Sequence, residues 1–141
     1  VATLSKNCIS EKSTLDALKK PSVLLIDDSF DTLDIHRMML EMDGFEVFTA
    51  QSGAEAFSVL SAVTPDLILL DYFLGDMNGV GFLDQLEKIN PFASEHIPVV
   101  FLSGLEEVPK SRAIGLIHKP ADMNYFLEAV HTYIEANARA H

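Results

Sequence analysis

Short, unbroken apolar runs alternate along this chain with longer stretches in which apolar residues recur every three or four positions. Val23–Asp27 is the first run and reads as a strand covered on both faces of a sheet. Within residues 31–42, Ile35, Met38, Met39 and Met42 fall at helical spacing and predict a packed face, with Gly44 placed to end the helix. Glu46–Thr49 predicts a short second strand, and Ala56, Phe57, Leu60 and Val63 mark a second helical face that ends at Pro65. Asp66–Leu70 is the strongest strand and delivers Asp71 at its C-terminal edge. Gly79–Ile89 predicts a helix with Phe82, Leu83, Leu86 and Ile89 on one side. Pro98–Leu102 and Leu116–His118 predict strands four and five, and residues 123–136 the last helix, through Phe126, Ala129, Val130, Tyr133 and Ile134.

Strands separated by helices imply right-handed crossovers and therefore a doubly wound α/β domain around a parallel sheet. Such sheets bind ligands outside the carboxyl ends of their strands. Asp27, Asp28, Asp71, Ser103 and Lys119 all fall at that edge. Residues 1–20 stand apart as an N-terminal extension, 21–137 form the domain, and 138–141 are a short tail. Ser13–Asp16 resembles a capping box with aspartate in the glutamate place, so a short helix can start there. Its thin apolar stripe, Leu15 and Leu18, favours a linker or loosely docked extension.

Composition narrows the function classes. The 141 residues suit one domain with a sizeable core. Acids outnumber bases by 21 to 10, a formal net charge of −11 that disfavours binding to nucleic acid backbones or anionic membrane. The single cysteine, Cys8, excludes an internal disulfide framework and a cysteine-rich zinc site. With no apolar run of transmembrane length and no signal-peptide plan at the N-terminus, the expectation is a cytoplasmic protein.

Three carboxylates at one sheet edge repel one another unless a cation sits among them. Oxygen-only ligation suits magnesium, which takes one or two carboxylates and keeps several waters. A lysine and a hydroxyl opposite supply positive charge and a hydrogen-bond donor, a set able to stabilise a phosphoryl group in flight. A carboxylate can itself be the nucleophile, and Asp71, alone at the end of the central strand, is the candidate. Taken singly, each residue has a plainer reading: Asp28 as a helix cap, Lys119 as a surface lysine, Ser103 as a turn residue. Their convergence on one edge outweighs those readings. His36, His96, His118 and His131 have no ligand-like spacing and read as structural or solvent-facing; Asp31, Asp34 and Asp76 read as caps or solvated surface.

From Pro21 to Ala136 the chain resembles the receiver domains of two-component response regulators. The resemblance is carried by Ile26-Asp27-Asp28-Ser29, by Leu69-Leu70-Asp71 with Gly79 eight residues after the aspartate, by Phe101-Leu102-Ser103-Gly104, and by Ile117-His118-Lys119-Pro120. It implies a five-stranded sheet of order 2-1-3-4-5. It implies that Asp71 accepts a phosphoryl group from a phosphohistidine on a sensor histidine kinase or histidine phosphotransfer protein, as a signalling domain rather than a metabolic enzyme. Asp28 and Asp71 would contact magnesium directly, Asp27 through water or as support, and the Phe73 carbonyl would complete the protein ligands. Ser103 and Lys119 would bind phosphoryl oxygens, and the Lys119–Pro120 peptide would be cis.

The chain departs from the family at several positions. Leu116 stands where a switch tyrosine or phenylalanine is usual, three residues before Lys119. Fifteen residues separate Ser103 from Lys119, fewer than usual, and Pro109 interrupts them, so the family's fourth helix is expected to be short or missing. Phe73 and Leu105 occupy positions that in this family tune access of hydrolytic water, and Gly75 replaces the usual proline. With nothing after residue 136 able to form an output domain, the expected output is protein–protein contact or a domain elsewhere. A competing reading is a constitutive receiver-like module uncoupled from phosphorylation. A third, an aspartate-nucleophile phosphohydrolase, lacks its second aspartate, since Phe73 occupies that place.

Overall fold

The computed structural model describes residues 20–119 and 122–140, with side chains in the last helix as far as residue 137. The N-terminal extension with its helix start at Ser13 and Cys8, and Pro120 with its expected cis peptide, lie outside the described residues. Five strands, β1 Ser22–Ile26, β2 Glu46–Ala50, β3 Leu67–Leu70, β4 Val99–Ser103 and β5 Gly115–His118, form one parallel sheet of order β2-β1-β3-β4-β5. The helices are α1 Phe30–Met42, α2 Gly53–Ala62, α3 Gly79–Ile89, α4 Pro91–His96 and α5 Met123–Ala140.

Side chains alternate across a strand, so each apolar run feeds two cores. Leu24, Ile26, Ile68, Leu70, Val99 and Phe101 pack with Ala56 and Leu60 of α2 and Phe82, Leu83 and Leu86 of α3. Val23, Leu25, Leu67, Leu69, Val100, Leu102 and Ile117 pack with Leu33 and Leu40 of α1 and Phe126 and Val130 of α5. This two-sided burial is why these strands read as continuous hydrophobic runs.

The expected apolar face of α1 is corrected. Leu33, His36 and Leu40 face the sheet, whereas Ile35, Met38 and Met42 are exposed and only Met39 packs from that set. Both sets have i, i+3, i+7 spacing, and hydropathy favours the methionines because the buried stripe contains a histidine. Gly44 does end the helix region, at φ +92°, a conformation open to glycine. The last helix runs beyond residue 136 to Ala140.

Helix α4 is an addition to the sequence reading. Asn90 ends α3 and caps α4, its side chain accepting from Ala93 N at 3.1 Å, with Pro91 in the first turn. An Asn-Pro pair at a helix end carries that signal, since proline is favoured at a first helical position. Residues 104–114 hold bends and irregular backbone without a helix. Arg112 fastens this segment: its Nε donates to Ser94 Oγ at 3.1 Å and its Nη2 to the Ile97 carbonyl at 3.4 Å.

Candidate functional site

Three ladder-end hydrogen bonds set the frame. Asp27 N donates to the Ala50 carbonyl (3.1 Å), Asp71 N to the Ile26 carbonyl (2.9 Å) and Lys119 N to the Ser103 carbonyl (2.8 Å). The parallel register therefore aligns the ends of β1, β3, β4 and β5, and it brings the five expected residues to one edge.

Local chemistry assigns the acids different surroundings. Ser29, not Asp28, caps α1, its hydroxyl accepting from Thr32 N. Asp28 is thus left exposed beside the site. Asp27 is buried; its Oδ1 accepts from Ser29 N at 3.0 Å and its Oδ2 pairs with Lys119 Nζ at 3.0 Å. The same Nζ lies 3.6 Å from Asp71 Oδ2. Asp27, Asp28 and Asp71 each present an oxygen within 4.8 Å of the others.

Burial raises the Asp71 pKa to about 6; Lys119 pulls it down, and Asp27 and Asp28 push it up again. Desolvation and two neighbouring carboxylates thus outweigh one ammonium. Three carboxylates against one lysine leave two negative charges, the complement of a divalent cation, and an all-oxygen donor set with an exposed member suits a hard ion that keeps waters.

Ser103 is 2% exposed, and its Oγ accepts from Leu105 N at 3.2 Å. Phe73, two residues beyond Asp71, is 58% exposed, its ring edge-on to Tyr72 and its backbone bridged to Asn78. Gly75, at φ +79°, turns the loop back toward Asp28; a Cβ there would stand 3.5 Å from Asp28 Oδ2. Asp76 accepts from Gly53 N at 3.4 Å, tying that loop to the start of α2. Leu116 is half-buried against the α2–α3 side of the sheet.

The sequence, offering no ligand spacing, reads His36 as structural or solvent-facing, and the structure makes it structural. It is buried with its ring on Phe126 (centroids 4.8 Å apart), and the charges acting on it are Lys119 and Asp27. His131 pairs with Asp43 at 2.6 Å.

Comparison with known proteins gives a consistent picture. A family model described as the response regulator receiver domain matches residues 23–131. The transcriptional regulatory protein GlrR of Escherichia coli (strain K12) is 28% identical over 128 residues, covering 86% of this chain and 28% of that protein. This chain therefore spans little more than a quarter of that relative. Sporulation initiation phosphotransferase F of Bacillus subtilis (strain 168) is 27% identical, over 79% of this chain and 92% of its own. Among solved structures, a CheY-like receiver domain protein from Methanospirillum hungatei JF-1 superposes with a TM-score of 0.76 at 23% identity, covering 87% of this chain and all of that one. At that identity the superposition speaks for the fold.

Proposed function

The chain belongs to the response regulator receiver domain family, and from that premise we propose that it is a magnesium-dependent phosphoacceptor whose Asp71 takes a phosphoryl group from a phosphohistidine protein. A receiver domain is a phosphoacceptor signalling module, and the family implies a kinase or phosphotransfer partner. The observation that carries the proposal is Lys119 Nζ, held 3.0 Å from Asp27 and 3.6 Å from Asp71 at the edge of a three-carboxylate cluster.

In this reading the ionised Asp71 oxygen attacks phosphorus, a P–O bond forms, and the P–N bond to the donor imidazole breaks. Lys119 holds a phosphoryl oxygen by charge. The Ser103 hydroxyl donates to another while still accepting from Leu105 N. Asp28, Asp71 and the Phe73 carbonyl would hold the cation, with Asp27 in support because Lys119 already engages one of its oxygens. Magnesium bound there supplies the positive charge that keeps Asp71 ionised and offsets phosphoryl charge. Phe30, Ile35 and Met38, exposed on the helix that starts just past Asp28, offer an apolar surface on which the donor protein can seat.

No helix among the described residues is long and apolar enough to cross a membrane. The test is incubation with magnesium and acetyl phosphate followed by intact mass measurement. Wild type should gain one phosphoryl group and Asp71→Asn none. Unchanged mass with both acetyl phosphate and a competent histidine kinase would favour the constitutive interaction module.

A further inference from the structure

The start of α2 contributes nothing to the carboxylate cluster, yet it is tied to the loop that follows Asp71. Ser52 and Glu55 cap the helix reciprocally: Ser52 Oγ accepts from Glu55 N at 3.1 Å, and Glu55 Oε1 accepts from Gln51 N at 3.2 Å. The amide of Gly53, the first helical residue, is left over by this arrangement. Asp76 meets it from a different element. Its Oδ1 accepts from Gly53 N at 3.4 Å, and its Oδ2 lies 3.4 Å from where a Gly53 Cβ would stand. The sequence reads Asp76 as a cap or as solvated surface; it is a cap, of a helix that precedes it by a whole strand. Met77 packs beside it, its Cε and Sδ 2.6 and 2.7 Å from the same Cβ position, so the thioether occupies the space that a side chain at 53 would take.

Residues 73–78 form one closed turn. Phe73 and Asn78 pair across it in an antiparallel bridge, Leu74 N donates to the Met77 carbonyl at 2.9 Å, and Asp76 N donates to the Leu74 carbonyl at 2.8 Å. Gly79 N donates to the Tyr72 carbonyl at 2.6 Å and closes the base. A turn bonded this way shifts as a unit, so a displacement at Asp76 or Met77 reaches Phe73 and Gly75. Gly75 stands beside the acids, a Cβ there being 3.5 Å from Asp28 Oδ2. One side of the turn thus rests on α2 and the other borders the carboxylate cluster.

We propose that Asp76 is a positioning residue for the cation site: hooked on Gly53, with Met77 packed beside it, it anchors the turn to α2 and fixes Phe73 and Gly75 relative to Asp28. The role rests on the reading of Asp28, Asp71 and the Phe73 carbonyl as cation ligands. Asp76 holds no cation itself and acts through the turn. With the anchor released, a fraction of the chains carries the Phe73 carbonyl out of place, and the apparent affinity for magnesium falls with that fraction.

The test is magnesium affinity, measured by isothermal titration calorimetry on the full chain below each protein's melting temperature. Asp76→Ala releases the hook and should weaken magnesium about fivefold, the size of a lost helix cap. Asp76→Asn keeps an oxygen for Gly53 N while dropping the charge, and should stay within about twofold of wild type. An Asp76→Ala protein that binds as tightly as wild type overturns the proposal. So does an Asp76→Asn protein as weak as Asp76→Ala, since the effect would then be one of charge. A third variant approaches from the other side of the contact with no cation present: Gly53→Val puts a side chain where Met77 lies. In chelator its Phe73 and Gly75 amide resonances should move from their wild-type positions, although the substitution is in another element. Unmoved resonances overturn the link between α2 and the turn. Failure of wild type to bind magnesium is a separate result and counts against the cation-site reading, while the amide shifts still report on the anchor.

Discussion

Replacing the candidate acceptor with its neutral isostere, Asp71→Asn, should stabilise the fold in the absence of a divalent cation. The Asp71 carboxyl is pushed from 3.8 to about 6, first by burial and then by Asp27 and Asp28, against the pull of Lys119. A folded-state pKa above the unfolded one means that the native state prefers the protonated acid. The associated stability is therefore fully present below the ordinary value and is lost as pH rises through about 6. At about 1.4 kcal/mol per unit the whole shift corresponds to about 3 kcal/mol. Its rim meets solvent, which screens it, so a gain of about 1–2 kcal/mol is expected for Asp71→Asn near pH 8. The assay is urea unfolding of both proteins in a chelator across this range. The advantage of the variant should grow up to about pH 6 and stay level above it. An Asp71→Asn protein no more stable than wild type near pH 8, or one whose advantage is the same at every pH, would refute the electrostatic argument.

Three further outcomes follow from the same geometry. Magnesium at ten times its Kd should stabilise wild type by about 1.4 kcal/mol; thermal melts in which Asp28→Ala gains equally would count against the carboxylate cluster as its site. Phe73, exposed beside Asp71, gives no hydrogen bond to an in-line water, so Phe73→Asn should speed loss of the phosphoryl group about tenfold after donor removal; an unchanged decay would show that Phe73 does not control access. With no helix in residues 104–114, light scattering of the beryllium fluoride-activated protein should show no dimer through that segment, and a dimer abolished by charge reversal there would contradict this.

The placement of the site was legible in the sequence because it depends on strand order along the chain, not on side-chain packing. Runs such as Val23–Ile26 and Leu67–Leu70 can be satisfied only by a sheet covered on both faces, and helical crossovers force such strands to run parallel. Once they do, Asp27, Asp28, Asp71, Ser103 and Lys119 must share one edge. Side-chain partnerships at that edge were not legible. That Lys119 sits nearer Asp27 than Asp71, and that Ser29 rather than Asp28 caps α1, depend on rotamers and ladder ends that only the assembled sheet fixes. The tertiary structure also decided which stripe of α1 is buried. Ile35, Met38 and Met42 have the hydropathy of a core face, but the helix is turned by its neighbours so that Leu33, His36 and Leu40 meet the sheet and α5. Periodicity reports that a helix has a face; which face packs is set by the sum of contacts with elements distant in sequence, and here that sum buries a histidine against Phe126.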